Sequence, residues 1–364
     1  MKDEVCRNAA GFDSRFATCD MLGLNLTHPR FVLDHIDLGK RQDDTCRGDF
    51  VKFKEWGMRL VMCKGGPVIY DDNFAALWPE QSEHRPGRES PERMYHSSSF
   101  KHPTQVVLAL LDRFLCDVEA NKDVVILIRT KSDLDDLLAN PDRVGLLMGA
   151  NRSDWFGDAP GILRMFARLG LRMVTISMSG RDLGYDGHDE LRSGGRLTEF
   201  GVRVIGEMNR CGILVDIAHT NEICAMDAIE VSSKPVIDSH SIPKHFDSSS
   251  RSTSDSVMRA LVNTGGLLGV MPPISRPAGD APYGCVSDDD MTRTLEIIKY
   301  AVDVMGIDGV GIGTHFNTAC LPWLTEGLTE SGYSESDIAA VLGGNYIRVL
   351  KEVLPDTAGP CDDG

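Results

Sequence analysis

Positive charge is scarce in this 364-residue chain: 38 Lys and Arg stand against 54 Asp and Glu, a formal net charge of −16. Nucleic-acid and anionic-membrane partners are thereby excluded, because phosphate attraction needs an accumulated positive surface. Long apolar runs are also missing, and none approaches the roughly 18–20 residues needed to cross a bilayer. The start, Met1–Lys2–Asp3–Glu4, leads into polar sequence and does not resemble a signal peptide. The ten cysteines (6, 19, 46, 63, 116, 211, 224, 285, 320 and 361) form no C-x-x-C pair. Several lie inside apolar runs, where Cys behaves as a small hydrophobe. Free thiols, a reducing compartment and a soluble cytoplasmic protein are therefore expected. No Gly-rich phosphate loop follows the first apolar run, which disfavours an open nucleotide-binding sheet. No internal repeat has a legible period.

What is present is a rhythm. Short apolar runs recur at Phe16–Leu22, Arg59–Cys63, Val124–Arg129, Val144–Gly149, Leu171–Ser177, Gly212–Ile217, Pro235–Ile237, Gly266–Met271 and Val310–Gly313. Near-continuous apolar runs of this length read as strands buried on both faces, as in parallel sheets. Helical patterns lie between them, at Thr104–Ala120, Gly161–Leu169, Leu197–Arg210, Asn221–Val231, Asp255–Val262, Asp290–Met305 and Ser334–Val353. The last opens on Ser334–Glu335–Ser336–Asp337, a capping box. Strand alternating with helix over the whole length predicts an α/β fold closed into a (β/α)8 TIM-type barrel. One domain, 1–364, is expected, with loop insertions on the working face near 65–101 and 272–283, both rich in Pro.

Residues at the C-terminal tips of barrel strands face the pocket. Here these are Leu22, Asn151, Met178, Asp216, His219, Asp238, His240 and His315. One rim histidine alone is more often a hydrogen-bonding residue than a ligand. Two at the ends of consecutive strands, His219 and His240, point to function, either metal binding or acid–base chemistry. With His315 they offer three nitrogens to Zn²⁺ or another divalent ion, leaving a position for water. Such a water is acidified enough to attack an amide or ester carbonyl. Asp216 and Asp238 sit in apolar strands, where an unpaired carboxylate is costly. They are expected to pair with a cation or histidine, or to act as acid–base groups. Arg251, after the Ser248–Ser249–Ser250 loop, suits a substrate-carboxylate clamp, although a lone loop Arg is more often solvated. The acidic stretch Asp182–Glu190, which contains His188, reads first as a solvated loop.

From about Asp20 to Val353 the chain resembles the renal (membrane) dipeptidases, peptidase family M19 among the amidohydrolase-like barrels. The likeness rests on Leu169–Thr175, Leu197–Gly201, Glu207–Arg210, Val215–His219, Pro235–Ser241, Arg251–Asp255, Asp308–Gly313 and Gly343–Leu350. It implies a (β/α)8 barrel, two zinc ions bridged by a glutamate and a hydroxide, hydrolysis of dipeptides, and a homodimer as the expected assembly. His219 and His240 match the second metal's histidines, and Arg251 matches the carboxylate-binding Arg. The site departs from the family elsewhere. The His-x-Asp of the first strand is replaced by Leu22 and Leu24, the bridging Glu by Asn151, a substrate-binding His by Met178, and a late-strand Asp by His315. Leucine ligates no metal, and a neutral amide cancels none of the charge of two cations. One divalent metal, zinc, on His219 and His240 is therefore expected in place of two.

Three readings stay open. The first is a divergent M19-type amide hydrolase acting on a small carboxylate-bearing, peptide-like substrate. There Arg251, Met178 and Asn151 line the substrate, and Asp238, His315 and Asp216 assist catalysis. The second is a metal-independent acid–base enzyme, an isomerase, cyclase or lyase, on the same barrel. The third is a catalytically silent ligand-binding barrel.

Overall fold

The computed structural model describes residues 15–27, 31, 36–42, 48–66, 103–153, 155–178, 180–192, 194–273 and 288–358. Nine strands form one parallel sheet: β1 (Cys19–Asn25), β2 (Leu60–Gly65), β3 (Val125–Leu127), β4 (Val144–Asn151), β5 (Leu171–Thr175), β6 (Leu214–Asp216), β7 (Val236–Ser241), β8 (Leu267–Val270) and β9 (Val310–Ile312). They run in the order β1-β2-β4-β5-β6-β7-β8-β9, with β3 paired outside this path to β4. The path is a nearly closed eight-stranded (β/α)8 barrel, and each of the nine apolar runs read from the sequence overlaps one strand. The two expected insertions fall almost wholly outside the described residues.

Alternation along each strand divides the apolar residues into two shells. Met21, Met62, Met173, Leu214, Ile237 and Leu267 form one buried cluster, capped by Tyr346, Val349 and Leu350 of the last helix. Val61, Val174, Val215 and Val236 belong to the other, beneath the surrounding helices. Those helices begin where the sequence supplies a cap. Thr198, Asn221 and Ser254 accept from Gly201, Cys224 and Val257 N–H, and Ser334 forms the expected box with Asp337. The final helical pattern is not one helix. It runs Glu335–Ala339, widens into a π turn over Ala340–Gly344, and resumes as Asn345–Val353. Gly170 (φ 108°) ends the Pro160–Leu169 helix in the left-handed conformation and turns the chain straight into β5.

A buried carboxylate fastens the first strand to the loop after the last. Asp20, fully buried, accepts from Thr314 N (3.0 Å), Thr314 Oγ1 (2.5 Å), Thr318 Oγ1 (2.7 Å) and Leu22 N (3.0 Å). Phe316 N adds a backbone bond to Leu22 O at 2.8 Å. Among the described cysteines, 19, 63, 116, 224 and 320 are free, but Cys211 is disulfide-bonded. The expectation of free thiols is corrected there, since cysteine spacing in a sequence does not reveal which pair the fold brings together. Asp20→Asn should cost about 2–4 kcal/mol of stability in urea unfolding, because an amide nitrogen cannot accept the two threonine protons. An unchanged midpoint would show that this carboxylate does not fasten the barrel.

Candidate active site

Backbone strain marks the rim. Among the described residues, left-handed φ outside glycine occurs only at Arg152 (67°), His219 (67°), His315 (53°) and Phe316 (71°). All four lie just beyond the C-terminal ends of β4, β6 and β9. Such conformations cost about 1–3 kcal/mol each and gather where side chains must be aimed rather than where stability is maximised. A register shift between Asp238 and Ser241 bends the end of β7 in the same region. At Gly313 a Cβ would fall 1.9 Å from Ser239 O, so only glycine lets the end of β9 approach β7 this closely.

At the centre His219 Nε2 and His240 Nε2 face each other at 3.1 Å. The far side of His240 is fixed. Ser239 Oγ donates to Asp216 Oδ2 at 2.7 Å, and His240 Nδ1 lies 2.6 Å from the same Oγ. The serine proton is committed to the carboxylate, so Nδ1 must carry the proton that binds Oγ. His240 Nε2 is then a bare lone pair aimed at His219. Burial, reinforced by the positive charges of Arg251 and Lys64, holds both imidazoles well below their usual pKa. Both are neutral at pH 7, the state that ligates a metal or takes up a proton. His219 Nδ1 is buried with no partner among the described residues.

Asp216 anchors this arrangement. It also accepts from Ala218 N (3.0 Å), Ser239 N (2.9 Å) and Thr175 Oγ1, while Lys64 Nζ lies 3.6 Å away. Asp238 has a parallel task. Its carboxylate accepts from Ser241 Oγ (2.5 Å) and Thr253 Oγ1, and Ser241 Oγ in turn accepts from Arg251 Nη1 (2.7 Å). Arg251 also donates to His240 O. Each aspartate thus acts through a serine, one toward His240 and the other toward Arg251. Burial raises the Asp238 pKa, with Arg251 opposing the rise. A cleft beside the pair is lined by His219, Thr220, Asp238, Lys244, Ser250 and Arg251.

The remaining expected residues surround this centre. His315 packs 5.4 Å from His240, ring centre to ring centre, and His188 packs 5.3 Å from His219. Together they make a row of four imidazoles. His188 Nδ1 donates to the Met178 carbonyl at 2.9 Å, so Met178 positions this histidine through its backbone. Asn151 Oδ1 is buried and has no partner among the described residues. Leu22 and Leu24 are buried, with 1% and 4% of their surface exposed. Reading the sequence missed two residues. His188 was taken for part of a solvated loop, and Lys64 was passed over although it is the one charge in the β2 run Leu60–Gly65.

The donors present do not fit a two-metal centre: Leu22 and Leu24 supply none, and Asn151 supplies no charge. No group of three or more His, Cys, Asp or Glu able to hold a metal occurs among the described residues. The His219–His240 pair does fit one ion as two neighbouring ligands. Tetrahedral zinc with Zn–N bonds of about 2.05 Å sets its nitrogens about 3.3–3.4 Å apart, close to the spacing seen.

The fold and site define an α/β barrel whose strand tips converge on paired histidines. The sequence profile of the membrane dipeptidases (peptidase family M19) matches residues 74–357, and the chain belongs to that family. It is 28% identical over 250 residues to dipeptidase verJ of Clonostachys rogersoniana, covering 65% of this chain and 62% of that one. With dipeptidase 3 of Mus musculus it shares 26% over 236 residues, 60% of this chain and 46% of the other. The matches to the fungal dipeptidases verJ, tcpJ and aclJ span 50–62% of those proteins' lengths. A Rhodobacter sphaeroides metallo peptidase, solved with a phosphinate mimic of L-Ala-D-Ala, superposes with a TM-score of 0.74 at 20% identity, covering 93% of this chain and 99% of that one. The probable dipeptidase PvdM of Pseudomonas aeruginosa superposes at 0.72 and 19%, covering 95% and 96%. These two likenesses bear on the fold alone. Among the described residues no helix is long and apolar enough to cross a membrane.

The depressed histidines predict an acid limb in stability. Unfolded imidazoles take up protons below about pH 6.5 and the native pair does not, so the unfolded state binds more protons there and stability falls with pH. In chelator, each histidine should contribute a slope of about 1.4 kcal/mol per pH unit below that point. His219→Asn/His240→Asn should flatten the limb in urea titrations at pH 5–7. An identical limb in the double variant would place the acid sensitivity elsewhere.

Proposed function

We propose that the chain is an M19-type amide hydrolase for a small carboxylate-bearing, peptide-like substrate, with one divalent metal, zinc, held by His219 and His240. The observation that carries this reading is the 3.1 Å opposition of the two Nε2 atoms, with His240 locked from behind by Ser239 and Asp216. A bound zinc would supply Lewis acidity toward a carbonyl and lower the pKa of its water. The chain's own residues do the rest. Asp216 and Ser239 keep the His240 lone pair aimed inward. Arg251, braced by Ser241 and Asp238, offers its remaining N–H groups to a carboxylate in the cleft. Asn151 Oδ1, which lacks a donor, accepts the substrate amide N–H. His315 stands where a proton can pass to the departing amine.

Because His315 replaces an anion that would hold a free α-ammonium, N-blocked dipeptides should be hydrolysed at least tenfold faster than free ones. The reverse preference in kcat/KM would sink that assignment. Metal content by plasma mass spectrometry, on protein purified without chelator or histidine tag, tests the central claim. About one zinc per chain is expected, lost in His219→Ala. No metal after incubation with excess zinc would overturn the hydrolase reading. One observation favours a second reading, acid–base chemistry without metal: a proton on His219 Nε2 alone satisfies the 3.1 Å contact. Turnover that ignores chelator would identify that case. Ser239→Ala should lower kcat about tenfold in either case, since His240 loses the acceptor that fixes its tautomer.

A further inference from the structure

Lys64 ends β2 with its side chain inside the barrel mouth and only 3% of its surface exposed. Its nearest described anion is Asp216 Oδ2 at 3.6 Å, beyond hydrogen-bond length, and that carboxylate already accepts four donors. A buried ammonium needs an anion beside it, and for Lys64 that anion is Asp216. Register places the rest. β2 pairs with β4 as Lys64↔Gly149 and Gly65↔Ala150, so Asn151 lies on the neighbouring strand just above. β4, β5 and β6 then align Asn151↔Thr175 and Thr175↔Asp216. The ammonium therefore reaches across the mouth from β2 toward Asp216 on β6, in a mouth that also holds Asn151 Oδ1, which has no partner among the described residues, and close enough to both histidines to depress them.

We infer that the Lys64 ammonium is a fixed cation standing in place of a first metal ion, so that the site works with one organic cation and one exchangeable metal. Burial pushes its pKa down to about 8, which leaves the ammonium mostly protonated at neutral pH. Three positions agree with this. Leu22, Leu24 and Asn151 supply no negative charge to hold a first ion, while Asp216 keeps a cation beside it in Lys64. Lys64 and Arg251 instead balance Asp216 and Asp238. Oriented toward the substrate, the ammonium would donate to the amide oxygen as charge develops on it, while Asn151 Oδ1 takes the N–H.

This inference rests on the reading of His219 and His240 as the single metal site, and the test separates the two. Leu22→His, Leu24→Asp and Asn151→Glu are introduced together, once with Lys64 intact and once with Lys64→Gln, and zinc per chain is measured on folded, monodisperse protein. The ligand-restored chain with Lys64 should bind no more zinc than the wild type, and removing Lys64 should add about one zinc per chain. A gain with Lys64 intact overturns the inference, and so does no gain after its removal. The comparison is a difference between two variants, so a wild-type protein without zinc would defeat only the His219–His240 reading. In the unrestored chain, Lys64→Met should tighten zinc binding about tenfold in calorimetry by removing a nearby like charge, and Lys64→Arg should leave it unchanged. Equal affinities in the two folded variants would also overturn the inference.

Discussion

Three buried charges in the barrel mouth, Asp216, Asp238 and Lys64, and the half-buried Arg251 constrain everything around them. Asp216 and Asp238 are anions with at most 3% of their surface exposed, and they persist because each is saturated with serine, threonine or backbone donors and faced by a cation. Removing one member of such a set costs more than the set itself contributes, because the partner is left charged and dry. The constraint propagates outward. Asp216 commits the Ser239 proton, Ser239 commits the Nδ1 proton of His240, and the tautomer of His240 fixes which nitrogen meets His219. Asp238 sets Ser241, which sets Arg251, which returns to the carbonyl of His240. The site is thus one closed network in which a change at either aspartate reaches the histidine pair.

The closure of the barrel obeys the same chemistry. No ladder pairs β1 with β9, and a single carboxylate, Asp20, takes the three donors that bring Thr314 and Thr318 against β1. His315 follows Thr314 directly, so the bonds that close the fold also set the height of the fourth imidazole in the row. Barrel integrity and site geometry are therefore coupled at this edge. Strain at His315 and Phe316 is sustained because Asp20 and Leu22 hold the loop from both sides.

The architecture was legible because every strand overlaps a short, largely apolar run and most helices carry a side-chain cap. These are local signals, and the nine runs and the Ser334 cap show it. The interruption at Ala340–Gly344 was not legible, since a π turn keeps the apolar stripe that a continuous helix would show. Within the site, His219, His240 and Arg251 stood out as polar residues at strand tips or in their loops. Asp216 and Asp238 were expected to pair with a cation or histidine or to act as acid–base groups, and the structure gives both carboxylates partners in Ser239, Ser241, Thr175 and Thr253. Those partners lie three to forty-one residues away, a separation that strand pattern does not encode. Lys64 was missed for a related reason. At the end of an apolar run a lysine reads as the start of the loop, and only closure of the barrel turns that position inward.

Leucines at the tip of β1 also explain why such a site is stable without a first metal. A His-x-Asp pair left empty there would add an anion to a mouth that already holds two, with no ion to repay its desolvation. Leu22 and Leu24 instead bury apolar surface, worth roughly 1.5–3 kcal/mol each when fully enclosed. The charge that a metal would have brought is supplied by a side chain that needs no loading and cannot dissociate. A metal ion exchanges water and shifts ligands during a reaction, whereas an ammonium only donates hydrogen bonds along fixed directions. A barrel built this way trades coordination flexibility for permanent charge.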